Sequence, residues 1–368
     1  MNPLQRATSA VRTVVGDPVG RRAYVGRLKW LIRGSGDLHA HSLEYRAGLT
    51  GKWKIPAERH APDEEIVFHC PGGCGVHAPL SHLYERRYVY RLNKTVASTA
   101  SGATLMWGSQ EPPFFVRESI TWPFESILTH GLEVPEAKQV EEHITRPAIV
   151  FPTTPNYYHW LIEDLPAVIR AHSVDQTAPL LAFREGTTDR HRIVAQHIAA
   201  ELQPSPLIVA LGEQILPGRS SDSWFIHPAD AALLARLGQE LTGHDGSPGT
   251  DKIYISRRGT SRPLPDEERV EEALRQRGFA ILRLEDMPWL DQIRAFQNAR
   301  TIIAPHGAGL ANLVFTPAGA TVTEIAVGLH YNRCFEWICH VTEHGYRKVD
   351  GDNGESDVLT AVLAEVDA

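Results

Sequence analysis

Apolar and polar positions follow a regular order in the C-terminal third of the chain, where short apolar runs alternate with amphipathic segments. The runs have the length of strands, and the segments repeat their apolar residues at helical spacing. The predicted strands cover residues 252–256, 279–284, 301–304 and 321–326. The predicted helices cover 266–277, with Asp266 as N-cap and Gly278 as C-terminal stop, a segment from Pro288 to before Arg300, and a short segment at 309–315.

Strands that alternate with helices predict a parallel sheet with helices on both faces. Ligands of such sheets bind beyond the carboxyl ends of the strands. Two loops fall there, the basic loop 257–265 after the first strand and the Gly/His turn 305–309 after the third. We therefore expect the functional site of this domain at these two loops.

The N-terminal half has a weaker pattern. A strand is predicted at 146–151, helices at 188–201 and 228–241, and short strands at 206–211 and 223–226. Residues 37–130, rich in His, Gly and Pro, give no clear pattern. Gly, Pro and Ser accumulate at 242–250, which predicts an interdomain linker.

The composition is that of an ordinary soluble protein, with 42% hydrophobic and 22% charged residues among 368. This length exceeds that at which a single core usually stops growing, so two domains are expected. The net charge of −7 gives no general attraction to nucleic acid. Four cysteines in so long a chain fit a reducing compartment rather than a disulfide scaffold.

The N-terminal arm, residues 1–36, combines basic and apolar residues. Such an arm could lie on an anionic membrane surface, or fold as a solvated arm onto the domain. Gly16, Pro18 and Gly20 interrupt any long helix there. No stretch approaches the roughly 20 apolar residues that a membrane-spanning helix needs. We expect a cytoplasmic protein, with peripheral association with the inner face of the membrane as the alternative that the arm permits.

The segment 156–166 carries a polar stripe on an apolar background. If the segment is an α-helix, Asn156, His159 and Glu163 fall within about 60° on one face, and Asp164 points away. One interpretation is a buried histidine with a satisfied carboxylate. The other is a catalytic site in which Glu163 is a general base, or orients His159 to act as one.

The basic loop carries three guanidinium groups and two hydroxyl groups, from Arg257, Arg258, Arg262, Thr260 and Ser261. One guanidinium group can donate two parallel hydrogen bonds to two phosphate oxygens, so a cluster of such groups could hold a diphosphate without a metal. The alternative is a solvated basic face. The position after a predicted strand favours the phosphate interpretation.

The Gly turn consists of His306, Gly307, Ala308 and Gly309. Its small residues permit close approach of the backbone, its histidine can donate to an anionic oxygen, and a helix that starts there directs unpaired N–H groups at an anion. Glu324 ends the next predicted strand, where a carboxylate can accept hydrogen bonds from ribose hydroxyls.

Metal sites have weaker support. Four residues could form a zinc site: His69, Cys70, Cys74 and His77. No second cysteine pair lies nearby, so the role of the two cysteines stays open. Asp350 and Asp352 could ligate a divalent cation, but they lie in a polar run that is typical of a solvated loop. We expect no metal.

Three segments, in this order, resemble glycosyltransferase family 61, a group that includes bacterial capsular polysaccharide biosynthesis proteins, plant xylan-decorating transferases and animal protein O-glycan transferases. The similar residues are Asn156-Tyr157-Tyr158-His159-Trp160 with Glu163, Ser256-Arg257-Arg258, and His306-Gly307-Ala308-Gly309-Leu310-Ala311-Asn312 with Glu324. Many members carry a single acid where this chain has Glu163 and Asp164 side by side.

The resemblance implies an α/β fold of the GT-B type, with two Rossmann-like domains whose parallel sheets face each other across a cleft. The expected division is a basic arm at 1–36, an N-terminal acceptor-side domain at 37–242, a linker at 243–250, a C-terminal nucleotide-sugar-binding domain at 251–345 and a tail or return helix at 346–368.

The resemblance also implies an inverting, metal-independent transferase that moves a sugar from a nucleoside diphosphate donor, expected to be UDP-linked, to a saccharide or glycoconjugate acceptor in surface polysaccharide biosynthesis. Glu163, His159 and Asp164 would be catalytic, Asn156 and Tyr158 would lie on the acceptor side, and Asn312 would join the donor-binding residues. No cofactor is expected. The alternative is a non-catalytic nucleotide-sugar-binding or scaffold subunit, which would need no acid at position 163.

Overall fold

The structure is a computed structural model. It describes residues 49–54, 88–106, 114–116, 119, 139–217, 226–243, 250–260, 263–326, 333–350 and 358–367. The strands are β1 Leu49–Lys54, β2 Tyr88–Ser98, β3 Thr104–Met106, β4 Phe114–Val116, β5 Glu142–Ile144, β6 Ile149–Val150, β7 Leu180–Phe183, β8 Leu202–Ser205, β9 Ile208–Pro217, β10 Lys252–Ile255, β11 Ala280–Leu282, β12 Thr301–Pro305, β13 Thr321–Ala326 and β14 Gly345–Asp350. The α-helices are α1 Tyr157–His159, α2 Leu165–Val174, α3 Asp189–His197, α4 Pro228–Thr242, α5 Glu267–Arg275, α6 Trp289–Asn298, α7 Cys334–Val341 and α8 Val358–Val366.

The chain divides into two compact units. The N-terminal unit takes the described residues up to Pro155 and those from Glu163 to Pro217. The C-terminal unit takes Asn156–Ile162 and the described residues from 226 onward.

Among the described residues, no helix combines the length and the apolar character that a membrane span requires. The basic arm at 1–36 and the possible zinc ligands lie outside the described residues.

The C-terminal unit has a five-stranded parallel sheet in the order β11-β10-β12-β13-β14. The three central strands, β10, β12 and β13, are mostly buried, as expected where helices cover both faces, whereas the edge strands β11 and β14 are more exposed. Numbered within the unit, the order is 2-1-3-4-5, which is the flavodoxin-like doubly wound arrangement. The order reverses between β10 and β12, and this switch point is where such sheets bind ligands. The sequence prediction of a parallel α/β domain is confirmed.

One face of this sheet is covered by α5 and α8, which share a core with the strands through Tyr254, Val270, Ile325 and Val362. Asp266 occupies the N-cap position of α5, as predicted, but it does not cap the helix with its side chain. Asp266 adopts a left-handed conformation with φ of 51°, and its side chain makes no capping hydrogen bond. Gly278, with φ of 83°, follows α5 as predicted, because a left-handed residue ends the helix at little steric cost.

Helix α4 belongs to the C-terminal unit, whereas the sequence interpretation placed it before the linker. The physical reason is the packing of Gly238. A Cβ at this position would lie 2.6 Å from the ring of Phe315 and 3.3 Å from Ile293, so the absence of a side chain lets α4 approach the residues that follow the Gly turn. Trp337 supports the same region by donating from Nε1 to the carbonyl of Ile226 at 2.8 Å.

The N-terminal unit contains a three-stranded parallel sheet, β6-β7-β8, whose strands are linked along the chain by α2 and α3. It also contains a six-stranded sheet in which β9 and β3 both pair antiparallel with β2. Only β5 pairs parallel in that sheet. The prediction of parallel sheets in both domains is therefore wrong for the larger sheet, which is built largely from residues between 37 and 130, a region without a clear sequence pattern.

A buried histidine, His191, lies in the first turn of helix α3. His191 Nδ1 forms a capping box with Thr188, and Nε2 hydrogen-bonds with the carbonyl of Pro152 at 3.2 Å. Burial lowers the pKa of His191 to about 4. Because the folded pKa lies below the ordinary value of 6.5, the neutral ring stabilises the fold fully above pH 6.5, and that stability is lost as the pH falls toward 4.

Lowering the pH from 7 to 5 should therefore cost about 2 kcal/mol of unfolding free energy through His191 alone. Urea unfolding at both pH values measures this cost. In His191→Gln the difference between the two pH values should shrink by about that amount, whereas His197→Gln, an exposed position in the same helix, should leave it unchanged. Equal pH dependence in His191→Gln and the wild type would contradict the account.

Candidate functional site

The two loops expected to form the site meet at the switch point, after β10 and after β12. Arg257 Nη1 donates a hydrogen bond to the carbonyl of His306. The guanidinium also lies against Gly307, where a Cβ would be 2.5 Å from Nη1. Gly307 has an extended backbone with φ of 178°, so it is needed here for space rather than for an unusual conformation. The arginine and the glycine thus form one contact surface.

Two buried carboxylates on α5 hydrogen-bond to the residues at the start of the Arg257 loop. Glu267 Oε1 accepts from the backbone N–H of Arg257 at 2.7 Å and from the hydroxyl of Tyr254 at 2.9 Å. Ser256 donates from Oγ to Glu271 at 2.6 Å. Burial raises the pKa of Tyr254, and the neighbouring carboxylates add to the shift, so Tyr254 stays a hydrogen-bond donor. The start of the loop is therefore fixed before any ligand binds.

Arg258 points toward α5 instead. Its guanidinium lies 3.4 Å from Glu268 and 3.4 Å from Glu271, and its side chain is 48% exposed. The pair with Glu268 is exposed and contributes little. Glu271 is buried, so the second pair holds the Arg258 guanidinium on α5. Of the two adjacent arginines, only Arg257 contacts the Gly turn in this structure.

The rest of the loop is described up to Thr260. Thr260 donates its N–H to the carbonyl of Arg257 at 3.0 Å and closes a turn. Its hydroxyl oxygen is buried and has no hydrogen-bond partner among the residues that the structure describes. Ser261 and Arg262 lie outside those residues. A buried hydroxyl without a partner is a position where a ligand could supply the missing hydrogen bond.

His306 is held by a carboxylate from the next strand. Its Nδ1 hydrogen-bonds with Glu324 Oε1, and Tyr346 on β14 donates from its hydroxyl to Glu324 Oε2 at 2.7 Å. The ring of His306 packs edge-on against Phe335 at 5.1 Å. Glu324 has no exposed surface, so the structure places it beneath His306 and not where a ribose could reach it. The role expected for Glu324, accepting hydrogen bonds from ribose hydroxyls, is therefore corrected: Glu324 holds His306.

The short helix predicted after the turn is confirmed and is a 3-10 helix, Ala308–Phe315. Asn312 is fully buried in it and donates from Nδ2 to the carbonyl of Gly309 at 3.2 Å and to Gln292 Oε1 at 3.3 Å. Its Oδ1 accepts from the hydroxyl of Tyr157. Asn312 therefore braces the turn from inside, and the expected direct contact with the donor does not fit its burial.

The segment 156–162 packs into the C-terminal unit through Tyr157, which the sequence interpretation placed on an apolar face. Trp289 Nε1 donates to the hydroxyl of Tyr157 at 2.9 Å, and the rings of Trp160 and Trp289 meet edge-on at 5.4 Å. Asn156 accepts from the N–H of Tyr158 at 3.0 Å and caps α1. Tyr158 is buried against Phe335. An acceptor contact by Asn156 and Tyr158 stays a prediction.

The condition of a continuous α-helix, on which the choice between Glu163 and Asp164 depended, is not met in this segment. α1 ends at His159, and Trp160–Asp164 form a π-helix before α2 begins. A π-helix bonds i to i+5, so a spacing of 3.6 residues no longer decides which face Glu163 and Asp164 occupy. Both acids and His159 are buried. Asp164 Oδ2 accepts from Thr154 Oγ1 at 2.5 Å, which ties Asp164 to the loop after β6.

No group of three or more histidines, cysteines or acids in the described part of the chain could hold a metal ion. Asp350 pairs with Lys348 at 2.7 Å, and Asp352 lies outside the described residues. Burial raises the pKa of Cys334 and Cys339, with Glu324 adding to both shifts, so these cysteines remain thiols.

Sequence reasoning missed the supporting residues of the site: Tyr157, Glu267, Glu271, Trp289, Gln292 and Tyr346. One signal was present. Glu324 is the one charged residue in the strand 321–326, and a buried carboxylate requires hydrogen-bond partners. The identity of those partners depends on strand order, since β13 pairs with β14 and brings Tyr346 alongside.

Comparison with known protein families gave a match. Residues 157–323 match the model of the family described as Glycosyltransferase 61, while no curated protein matches the chain. The matched segment begins at Tyr157, contains both loops of the switch point and ends within β13. The resemblance of the three sequence segments is thus confirmed. Residues 157–323, just under half of the chain, therefore form a glycosyltransferase family 61 domain, and through this domain the chain is a glycosyltransferase.

Proposed function

We propose that the chain is an inverting, metal-independent glycosyltransferase of the GT-B type that transfers a sugar from a UDP-linked donor to a saccharide or glycoconjugate acceptor. Its place would be surface polysaccharide synthesis of the capsular type, at the cytoplasmic side of the membrane. One observation carries the donor-site proposal. The Arg257 guanidinium packs against Gly307 and hydrogen-bonds to the carbonyl of His306 at the switch point of the parallel sheet.

The proposed donor site stabilises the leaving diphosphate with protein groups. Negative charge develops on the diphosphate as the bond to the sugar breaks, and fixed donors directed at that charge lower the barrier. Arg257 supplies a delocalised cation, and the backbone N–H groups of the Gly turn supply further donors. In this proposal these groups act where other transferases use a divalent cation.

The proposed base is Glu163. Inversion by direct displacement needs one group to take the proton of the acceptor hydroxyl as the new bond forms at the anomeric carbon. Asp164 is tied to the loop after β6 by its hydrogen bond with Thr154, so it is assigned a supporting role in this proposal. Glu163 lies in a π-helix, a feature that is frequent at functional sites. His159 would orient Glu163 or relay the proton.

The two adjacent arginines should differ. Arg257→Ala should reduce kcat by roughly 10²- to 10³-fold, as for the loss of one fixed donor to a developing negative charge, and should weaken UDP binding. Arg258→Ala should change both by less than about 10-fold, because its guanidinium pairs with α5. Calorimetric titration with UDP and assays of UDP release measure the two effects. A larger effect in Arg258→Ala would overturn the assignment.

Gly307→Ala tests the same contact without removing a charge. The added methyl group would meet the end of the Arg257 side chain, which can swing away, so the fold should persist while the guanidinium is displaced. UDP affinity should fall about as far as in Arg257→Ala. The double variant, with both substitutions, should lose no more UDP affinity than either single variant. Gly345→Ala is the matched control, since its Cβ meets only atoms at 3.8 Å or beyond. Additive losses in the double variant would mean that Gly307 acts independently of Arg257.

Glu163→Gln should abolish turnover and leave UDP affinity intact, because the amide keeps the shape of the side chain but cannot take a proton. Asp164→Asn makes the same chemical change one residue along, and turnover should stay within about 10-fold of the wild type, since the amide oxygen can still accept from Thr154. Turnover assays and UDP titrations on both variants decide between the acids. If Asp164→Asn is the inactive variant, the base is assigned to the wrong residue.

A further inference from the structure

A chain of side chains runs from β14 to the Gly turn. Tyr346 donates to Glu324, and Glu324 binds Nδ1 of His306. β14 lies beyond the matched family segment, which ends at residue 323. Parallel pairing of β12 with β13 and of β13 with β14 brings the three residues together. The last strand of the sheet therefore reaches the donor site through a buried carboxylate.

Because Glu324 is buried, its carboxylate costs free energy of folding unless both of its oxygens accept hydrogen bonds. A carboxylate without exposed surface loses its hydration, and each oxygen then requires a donor. His306 and Tyr346 supply one donor to each oxygen. The thiol of Cys334 is also near, and its pKa is raised by burial and by the charge of Glu324, so Cys334 adds no competing charge. The carboxylate and the imidazole therefore fix each other's position.

The other loop of the switch point shows the same construction. Tyr254 donates to Glu267, and Glu267 accepts the backbone N–H of Arg257. In both cases a tyrosine on a strand supports a buried carboxylate, and the carboxylate holds a residue at the carboxyl end of β10 or β12. The repetition indicates that these carboxylates serve the two loops rather than the stability of the sheet alone.

We propose that Glu324 and Tyr346 are positioning residues for the donor diphosphate, acting through His306. Glu324 sets the orientation of the imidazole so that Nε2, on the edge opposite Nδ1, hydrogen-bonds with a phosphate oxygen of the donor. Tyr346 holds Glu324 in that position. This inference rests on the proposed function, since it assumes that the Gly turn binds the diphosphate, and it names the residues that prepare His306 for that contact.

A double-mutant cycle with UDP as the probe tests the inference. The single variants are Glu324→Gln, Tyr346→Phe and His306→Gln, in which the amide nitrogen of glutamine can occupy the place of Nε2. Glu324→Gln should weaken UDP binding roughly 10-fold, as for partners that orient a ligating histidine. Tyr346→Phe should weaken it roughly 3-fold, through the loss of one hydrogen bond. Tyr90→Phe, a buried tyrosine of the N-terminal unit, is the matched control and should bind UDP as the wild type does.

The cycle separates positioning from structural support. In the His306→Gln background, Glu324→Gln and Tyr346→Phe should weaken UDP binding no further, because the residue through which they act is gone. Spectra of protein with ¹⁵N-labelled histidine add a direct signature. The ring signal that is missing in His306→Gln should shift when UDP binds to the wild type, and should shift less in Glu324→Gln.

Two results would overturn the inference, and they are distinguishable. Equal losses of affinity in the wild-type and His306→Gln backgrounds, or UDP binding unaffected in all three single variants, would refute the positioning role and leave the donor site standing. No binding of UDP, ADP, GDP or CDP by the wild type would refute the donor site itself and the inference with it.

Discussion

The contact between Arg257 and the Gly turn is the constraint on which the rest of the proposed donor site depends. The guanidinium can approach this closely only because residue 307 has no side chain, since a Cβ there would lie 2.5 Å from Nη1. The contact also requires that β10 and β12 be neighbours, which the strand order of a doubly wound sheet ensures. A cation, a carbonyl and a glycine thus join two loops that are about 50 residues apart in sequence.

Buried negative charge supports this positive site. Glu267, Glu271 and Glu324 are almost inaccessible to solvent, and each accepts hydrogen bonds from a residue of one of the two loops. Removing one partner of such a carboxylate leaves a buried charge uncompensated, which is strongly destabilising. The loops are therefore held in place before the donor arrives, and such preorganisation reduces the cost of binding. Stabilising a leaving group by fixed charges depends on this rigidity.

Much of the C-terminal sheet could be predicted from the sequence, because its apolar runs are short, separate and followed by Gly or basic residues. The two loops of the site followed from the rule that ligands bind at the carboxyl ends of parallel strands. The orientation of Arg258 toward α5 did not follow, since helical faces do not specify ion pairs across a loop. The π-helix at 160–164 was also hidden, because the sequence pattern of an α-helix continues through it. The antiparallel pairing of β2 with β9 joins residues more than 100 positions apart, and no local pattern reports such a contact.

A crystal structure of the protein with UDP would locate the nucleoside diphosphate, which we propose to bind at the switch point between β10 and β12, on the Arg257 side of the loop. We expect density for the diphosphate within hydrogen-bonding distance of the Arg257 guanidinium and of the backbone N–H groups at 307–309. A diphosphate bound beside Arg258 and α5, or at another sheet, would refute this donor site.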